Sequence, residues 1–231
     1  MSFVFQPIKP EFVIANRHRY CKLCGCSSVI VGNHPKNENR SRKWNKIVWL
    51  IDLLAIFDTV VWLDYDAFVL TPDCSLFSKA YDFNIAVDAH VQTKYNSGVL
   101  VTKKSAVPFL DRVWNHSDFG RGVSDQNSIN YLLPNYRFGV LDPKYNDFGP
   151  PPNACPGYEK PYTLSKNQTS VVIRHRAGQF KGSRTMDGKV VKCAYDQIDL
   201  QEEAYRIWGV HTKKMYVPRH PNSVAVLTVI D

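Results

Sequence analysis

Residues 42–70 constrain the fold of this chain more than any other stretch. Trp44, Ile47, Val48, Ile51, Leu54 and Ala55 recur at three- and four-residue spacing, so 42–57 reads as an amphipathic helix. Residues 59–63 follow at once, with Val60-Val-Trp-Leu63 as a continuous apolar run that suits a buried strand. That strand ends at two carboxylates spaced i, i+2, Asp64 and Asp66, after which the chain is apolar again to Leu70. A helix feeding directly into a buried strand is part of a crossover unit, which commits the chain to an α/β sheet. Ionised carboxylates beside a core are costly unless something pairs with them or binds them. Ligands of open α/β sheets bind where the strands end. Oxygens placed there suit a hard divalent cation carrying a substrate diphosphate.

The rest of the sequence extends the pattern. Residues 11–25 suit a helix ending at Gly25, and 28–32 a short buried strand. A polar loop covers 33–41, and strands are expected at 85–88 and 97–102. Residues 105–115 suit a helix with Pro108 in its first turn, and 124–133 another with Ser124 as its N-cap. The segment 142–167 holds six prolines and reads as a long irregular loop. Beyond it come a short strand at 171–174, a helix at 196–209 and a final strand or tail at 223–230. Helix, strand, loop, helix, strand is the signature of a mainly parallel sheet flanked by helices. No linker divides the chain, so residues 1–231 are expected to form one domain.

Bulk properties narrow the function classes. With 44% hydrophobic and 22% charged residues the chain has an ordinary globular composition, and no apolar run reaches the length of a membrane span. Met1-Ser-Phe-Val-Phe5 lacks the basic start and long apolar region of a signal peptide. The location is left open: a secretory lumen if an upstream anchor is missing, the cytoplasm otherwise. The net charge of +8 admits nucleic acid, anionic membranes and phosphorylated small molecules as partners. Basic residues are dispersed, with no zinc-finger spacing, aromatic RNA-binding signature or continuous basic helix, so a nucleoside diphosphate is favoured over nucleic acid. Six cysteines stand at 21, 24, 26, 74, 155 and 193 without the second pair a zinc ribbon needs, leaving buried thiols or disulfides. Sequons at Asn39, Asn115 and Asn167 permit glycosylation in a secretory lumen.

The second informative place is His175-Arg-Ala-Gly178-Gln-Phe-Lys181, directly after the strand at 171–174. A histidine at a strand end can offer a neutral imidazole nitrogen to a metal. Gly178 lets backbone approach a ligand closely, and Lys181 supplies a point charge for phosphate. Two carboxylates and an imidazole make a mixed oxygen and nitrogen donor set, which favours Mn²⁺, with Mg²⁺ as the second choice.

Taken in order, these pieces resemble the nucleotide-sugar glycosyltransferases of GT-A fold. The resemblance is to the glycogenin and bacterial galactosyltransferase type and to the fungal and plant α-galactosyl, mannosyl and xylosyl transferases. It rests on Asn16-Arg-His-Arg-Tyr20, Lys43-Trp-Asn-Lys46-Ile47, Val61-Trp-Leu-Asp64-Tyr-Asp66, Tyr95-Asn96-Ser-Gly98, Asp125-Gln126 and His175-x-x-Gly178-x-x-Lys181. The resemblance implies a Rossmann-like GT-A domain with a nucleotide-sugar part at about 1–104 and an acceptor and metal-loop part at about 105–231. It implies Asp64, Asp66 and His175 as ligands of Mn²⁺, with Lys46, Asp64, Asn96, Gly178 and Lys181 on the donor. Asp125 and Gln126 would act at the donor sugar, Asp125 as base if the reaction inverts. The expected donor is a uridine diphosphate sugar, the acceptor a hydroxyl of a glycan, glycoprotein or other molecule, and the outcome retention. One departure stands out: the family's first strand presents a Thr/Ala-rich edge to the nucleoside base, and Met1–Phe5 is short and lacks those residues. Two other readings compete: an Asp-based metal hydrolase, and a non-catalytic carbohydrate- or nucleic-acid-binding module.

Overall fold

The computed structural model describes residues 10–37, 40–88, 94–116, 124–147, 172–175, 183–186, 189–192 and 224–229. Helix α1 (Pro10–Cys24) leads into strand β1 (Ser27–Val31), and α2 (Asn45–Leu54) into β2 (Thr59–Leu63) and the short β3 (Ala67–Val69). Strands β4 (Phe83–Val87) and β5 (Tyr95–Lys103) precede helices α3 (Val107–Trp114) and α4 (Asp125–Leu132). The remaining strands are β6 (Gly139–Leu141), β7 (Ile173–His175), β8 (Ser183–Met186), β9 (Lys189–Lys192) and β10 (Val224–Val229). The expected helix at 196–209 and most of the loop at 142–167 lie outside the described residues, as does Met1–Phe5.

Six strands form the main sheet in the order β1-β10-β2-β5-β4-β6. β10 runs parallel to both β1 and β2, while β5 is antiparallel to β2 and β4, and β4 is parallel to β6. The sheet is therefore mixed, with its parallel half on the β1 side. The 223–230 segment, expected as a final strand or tail, is an inner strand. The crossover from β1 through α2 skips one position before β2, and β10 fills that slot, pairing Leu227 with Val29 on one side and Trp62 on the other.

Every residue of β2 is buried, and its side chains alternate between two cores. Val60 and Trp62 pack with Ile47, Leu50, Leu54, Leu100 and Phe109 beneath α2 and α3. Val61 and Leu63 pack on the opposite face with Tyr20, Val99, Val101 and Ile173, under α1 and the β3–β7 ladder. Burying each such side chain contributes about 1.5–3 kcal/mol. The helix expected over 42–57 is shorter in the structure. A 3-10 turn at Arg42–Trp44 opens it, and after Leu54 the amides of Ala55 and Phe57 bond to Asp52 and Leu53 as the chain turns toward β2. α1 ends as the sequence suggested: Gly25 takes φ +67, the left-handed conformation that closes helices without a Cβ penalty.

The open choice between thiols and disulfides is resolved for four cysteines, which form the pairs Cys21–Cys26 and Cys24–Cys74; Cys155 and Cys193 lie outside the described residues. Cys24–Cys74 ties the end of α1 to the segment after β3 across 50 residues. A loop of that length contributes about 4 kcal/mol in the chain-entropy account. Disulfides of this kind persist in oxidising environments.

Asp73, beside that bridge, gives the fold a pH dependence. Burial alone would raise its carboxyl, but hydrogen bonds from Ser75, the Tyr145 hydroxyl and the Lys144 ammonium outweigh it and hold the group well below its usual value of 3.8. The folded carboxyl thus titrates below the unfolded one. Its stabilisation is present above about pH 4 and is lost as pH falls further. Melting temperature should drop on acidification from pH 5 to pH 3, and Asp73→Asn should flatten that drop. An equally steep drop in the variant would assign the acid sensitivity elsewhere.

Candidate active site

The carboxyl end of β2 delivers Asp64 to the edge of the sheet, where its amide bonds to the Gly98 carbonyl on β5 at 2.8 Å. The chain reverses over Asp64–Ala67, with the Ala67 amide returning to the Asp64 carbonyl at 2.9 Å, so both carboxylates sit on one tight turn. The turn is clamped from α1. Arg17, fully buried, donates to the carbonyls of Asp64 and Ala67, and Asn16 makes paired bonds with the backbone of Val69 at 2.8 and 3.1 Å. Desolvation lowers the Arg17 guanidinium to about 9, against the opposing pull of Asp66 and Asp64, so it remains cationic at neutral pH.

β3 then pairs antiparallel with β7, which sets Ala67 opposite His175. This short ladder carries the imidazole across more than a hundred residues of sequence to the carboxylates. His175 Nε2 lies 3.3 Å from Asp66 Oδ1 and 3.9 Å from Asp64 Oδ2. One donor atom from each of the three residues lies within 4.8 Å of the others. Asp66 and His175 are buried, whereas the Asp64 side chain is 31% exposed. The other oxygen of Asp64 is engaged from behind by the Trp62 indole at 2.6 Å and by Lys46 at 3.1 Å. Two hard oxygens and one imidazole nitrogen converging at this spacing fit a divalent cation such as Mn²⁺.

Lys46 stands inside the protein. Its ammonium bonds to the Ser97 carbonyl and hydroxyl at 2.9 and 3.0 Å and bridges Asp64 and Asp125 at 3.1 and 3.2 Å. Burial opposes its charge, but the two carboxylates prevail and raise its pKa. Removing one partner of such a buried pair strands the other charge, so Lys46 holds both acids in place. Asp125 is likewise buried and accepts from the Ser97 hydroxyl at 2.9 Å, one residue beyond the Ser124 N-cap. Gln126 accepts from the Ser97 amide and from the Asn96 side chain, and donates to Asp88 at 3.3 Å.

The structure thus brings Lys46, Asp64, Asp66, Asn96, Asp125, Gln126 and His175 into one connected network. Gly178 and Lys181 lie outside the described residues. Arg17, Ser97 and Asn146 belong to the network without having been singled out. Arg17 lies inside one of the matching segments with no role attached to it, and Asn146 lies in a proline-rich stretch with no spacing signal.

Gly98 has a steric reason. A Cβ there would come within 1.9 Å of His175 Cε1 and 2.5 Å of Nδ1. Gly98→Ala should therefore displace the ring, costing about 1–3 kcal/mol as overpacking. A melting curve checks this, and a variant with the native midpoint would show that the ring has room to move.

No family model and no curated protein matches the chain. Solved structures do. One is a glycosyltransferase involved in the glycosylation of the major capsid of PBCV-1, at 16% identity and TM-score 0.51, covering 72% of this chain and 89% of that one. Another is the glycosyltransferase GlyE of Streptococcus pneumoniae TIGR4, at 15% identity and TM-score 0.52, covering 86% of this chain and 58% of that one. At such identities the likeness speaks for architecture, and with the helix-flanked mixed sheet it establishes that this chain has a glycosyltransferase fold.

Proposed function

We propose that the protein is a metal-dependent glycosyltransferase that moves a hexose or pentose from a nucleoside diphosphate sugar, by default a uridine diphosphate sugar, to a hydroxyl acceptor. The observation that carries this reading is the meeting of Asp64, Asp66 and His175 at the carboxyl end of β2 within a glycosyltransferase fold. Parallel strands β1, β10 and β2 end along the same edge, which is where an α/β sheet receives a nucleotide.

When bound, a divalent cation would supply Lewis-acid stabilisation of the departing diphosphate. Asp64 and Asp66 would hold it through oxygens and His175 through a nitrogen. Lys46 and Trp62 hold Asp64 from behind and Arg17 fixes the turn, so the donor set is rigid before any ligand arrives. Fixed charge that needs no reorganisation at the moment of bond breaking is the largest lever such a site has. Lys181, six residues beyond the end of β7 in the sequence, would add a phosphate contact. Asp125, buried and held by Lys46 and Ser97, is poorly placed to take a proton from an acceptor hydroxyl, which favours retention over inversion. Gln126 and Asn96 line the network next to it and would shape the sugar pocket.

The test is a screen of nucleotide sugars for Mn²⁺-dependent hydrolysis and transfer. Metal-dependent turnover of at least one nucleoside diphosphate sugar is expected. Binding of polyanions without metal and with strong salt dependence would instead mark a binding module.

A further inference from the structure

We propose that Asn96 and Asn146 form a two-amide relay that fixes the proton of His175 on Nδ1 and so turns the Nε2 lone pair toward Asp64 and Asp66. The inference rests on the metal reading above and adds two positioning residues to it.

A backbone N–H fixes the orientation of the first amide. The Gly98 amide can only donate, and it meets the Asn96 side chain at 2.9 Å, so the atom it meets is Oδ1. The other end of that amide, Nδ2, then donates to Gln126 Oε1 at 3.2 Å. That assignment is secured independently, because the same Oε1 accepts from the Ser97 backbone amide at 3.1 Å. With Asn96 fixed, the Asn146 atom 3.3 Å from Asn96 Oδ1 must be the donor Nδ2. Asn146 Oδ1 is thereby aimed at His175 Nδ1, 2.9 Å away. An amide oxygen only accepts. In the neutral imidazole the proton therefore resides on Nδ1, and Nε2 carries the lone pair.

The device has something to work against. Asp66 Oδ1 stands 3.3 Å from Nε2 and would draw the proton to that nitrogen, which would prevent it from ligating a cation. The ring nitrogen that binds metal is set by the hydrogen bond the other nitrogen makes. All three side chains of the relay are buried, so water does not offer a substitute acceptor for Nδ1–H. The β5 backbone thus reads through two amides into the choice of imidazole tautomer.

The experiment uses the whole protein without nucleotide sugar, reading Mn²⁺ affinity from the spin-resonance signal of free Mn²⁺. Asn146→Ala should weaken affinity by ~10–100-fold, the usual effect of losing the partner of a ligating histidine. Asn146→Asp keeps an oxygen for Nδ1–H and should return affinity to within a few-fold of the parent. Nitrogen-15 spectra of histidine-labelled protein loaded with diamagnetic Mg²⁺ should place the His175 proton on Nδ1. A parent with its proton on Nε2 overturns the relay even if Asn146→Ala does not fold. So does an Asn146→Ala variant with parental affinity, or an Asn146→Asp variant as weak as Asn146→Ala. A parent that takes up no Mn²⁺ overturns the metal reading and the relay together, whereas a parent that binds normally beside an unaffected Asn146→Ala overturns the relay alone.

Discussion

On the proposed function, Asp66→Ala and His175→Ala will each lower metal-dependent turnover of the sugar donor by ~10²–10³-fold or more, while the protein keeps its fold. The magnitude follows from the loss of preorganised charge at a departing diphosphate. Asp66 Oδ1 and His175 Nε2 are two of the three converging donors, and neither can be replaced from a neighbouring side chain without moving the Asp64–Ala67 turn or the β7 backbone. The fold should survive because the backbone bonds of the Asp64–Ala67 turn, the Arg17 bonds to its carbonyls and the β3–β7 ladder do not depend on either side chain. Asp64→Ala is a less clean variant, because it also strands Lys46 beside Asp125. Steady-state rates at saturating Mn²⁺, with circular dichroism to verify folding, decide the matter. Parental turnover in either variant would remove the metal site from the mechanism.

Ending the chain before Val224 will abolish folding. β10 is hydrogen-bonded on both sides, to β1 over Ser27–Val31 and to β2 over Thr59–Trp62. Without it two parallel strands face each other across an empty slot, their amides and carbonyls unpaired and the fully buried β2 opened to water. Each ladder hydrogen bond lost forfeits about 0.5–1.5 kcal/mol. Together with the apolar burial lost at β2, the ladders on both sides of β10 amount to the roughly 5–15 kcal/mol that holds a typical domain together. The truncated protein should lack a cooperative melt and elute as aggregate, since two exposed parallel edges are templates for other chains. A soluble truncated protein with a native melting curve would show that β10 is not an inner strand.

The same strand shows where sequence reasoning reaches its limit. Val224-Ala-Val-Leu-Thr-Val229 is legible as a strand from composition alone. Its place is not, because parallel pairing leaves no local signature and the partners lie more than 150 residues away. The segment expected as a final strand or tail takes the inner position beside β2, between it and β1.

The candidate site divides in the same way. Asp64 and Asp66 were visible because a carboxylate pair at the end of an apolar run violates the local pattern, and only a ligand or a partner relieves the cost. His175 was visible because it, too, follows a strand. Lys46 was visible as a residue but not in its role: a helical lysine on the page, it is buried between two acids in space. Arg17, Ser97 and Asn146 carried no signal, because a buried polar side chain is defined by the partners that satisfy it, and those come from other elements.

The sequence by itself determined most of the helices and strands up to α4, the buried central strand and the pair of acids at its end, since periodicity and the cost of burying charge act over a few residues. Tertiary structure alone decided the slot filled by β10, the β3–β7 ladder that carries His175 to Asp66, and the amide chain running from Gly98 to the imidazole. Each depends on which surfaces meet, and hydrogen-bond donors choose among the acceptors that folding places within 3 Å rather than among those nearby in the chain.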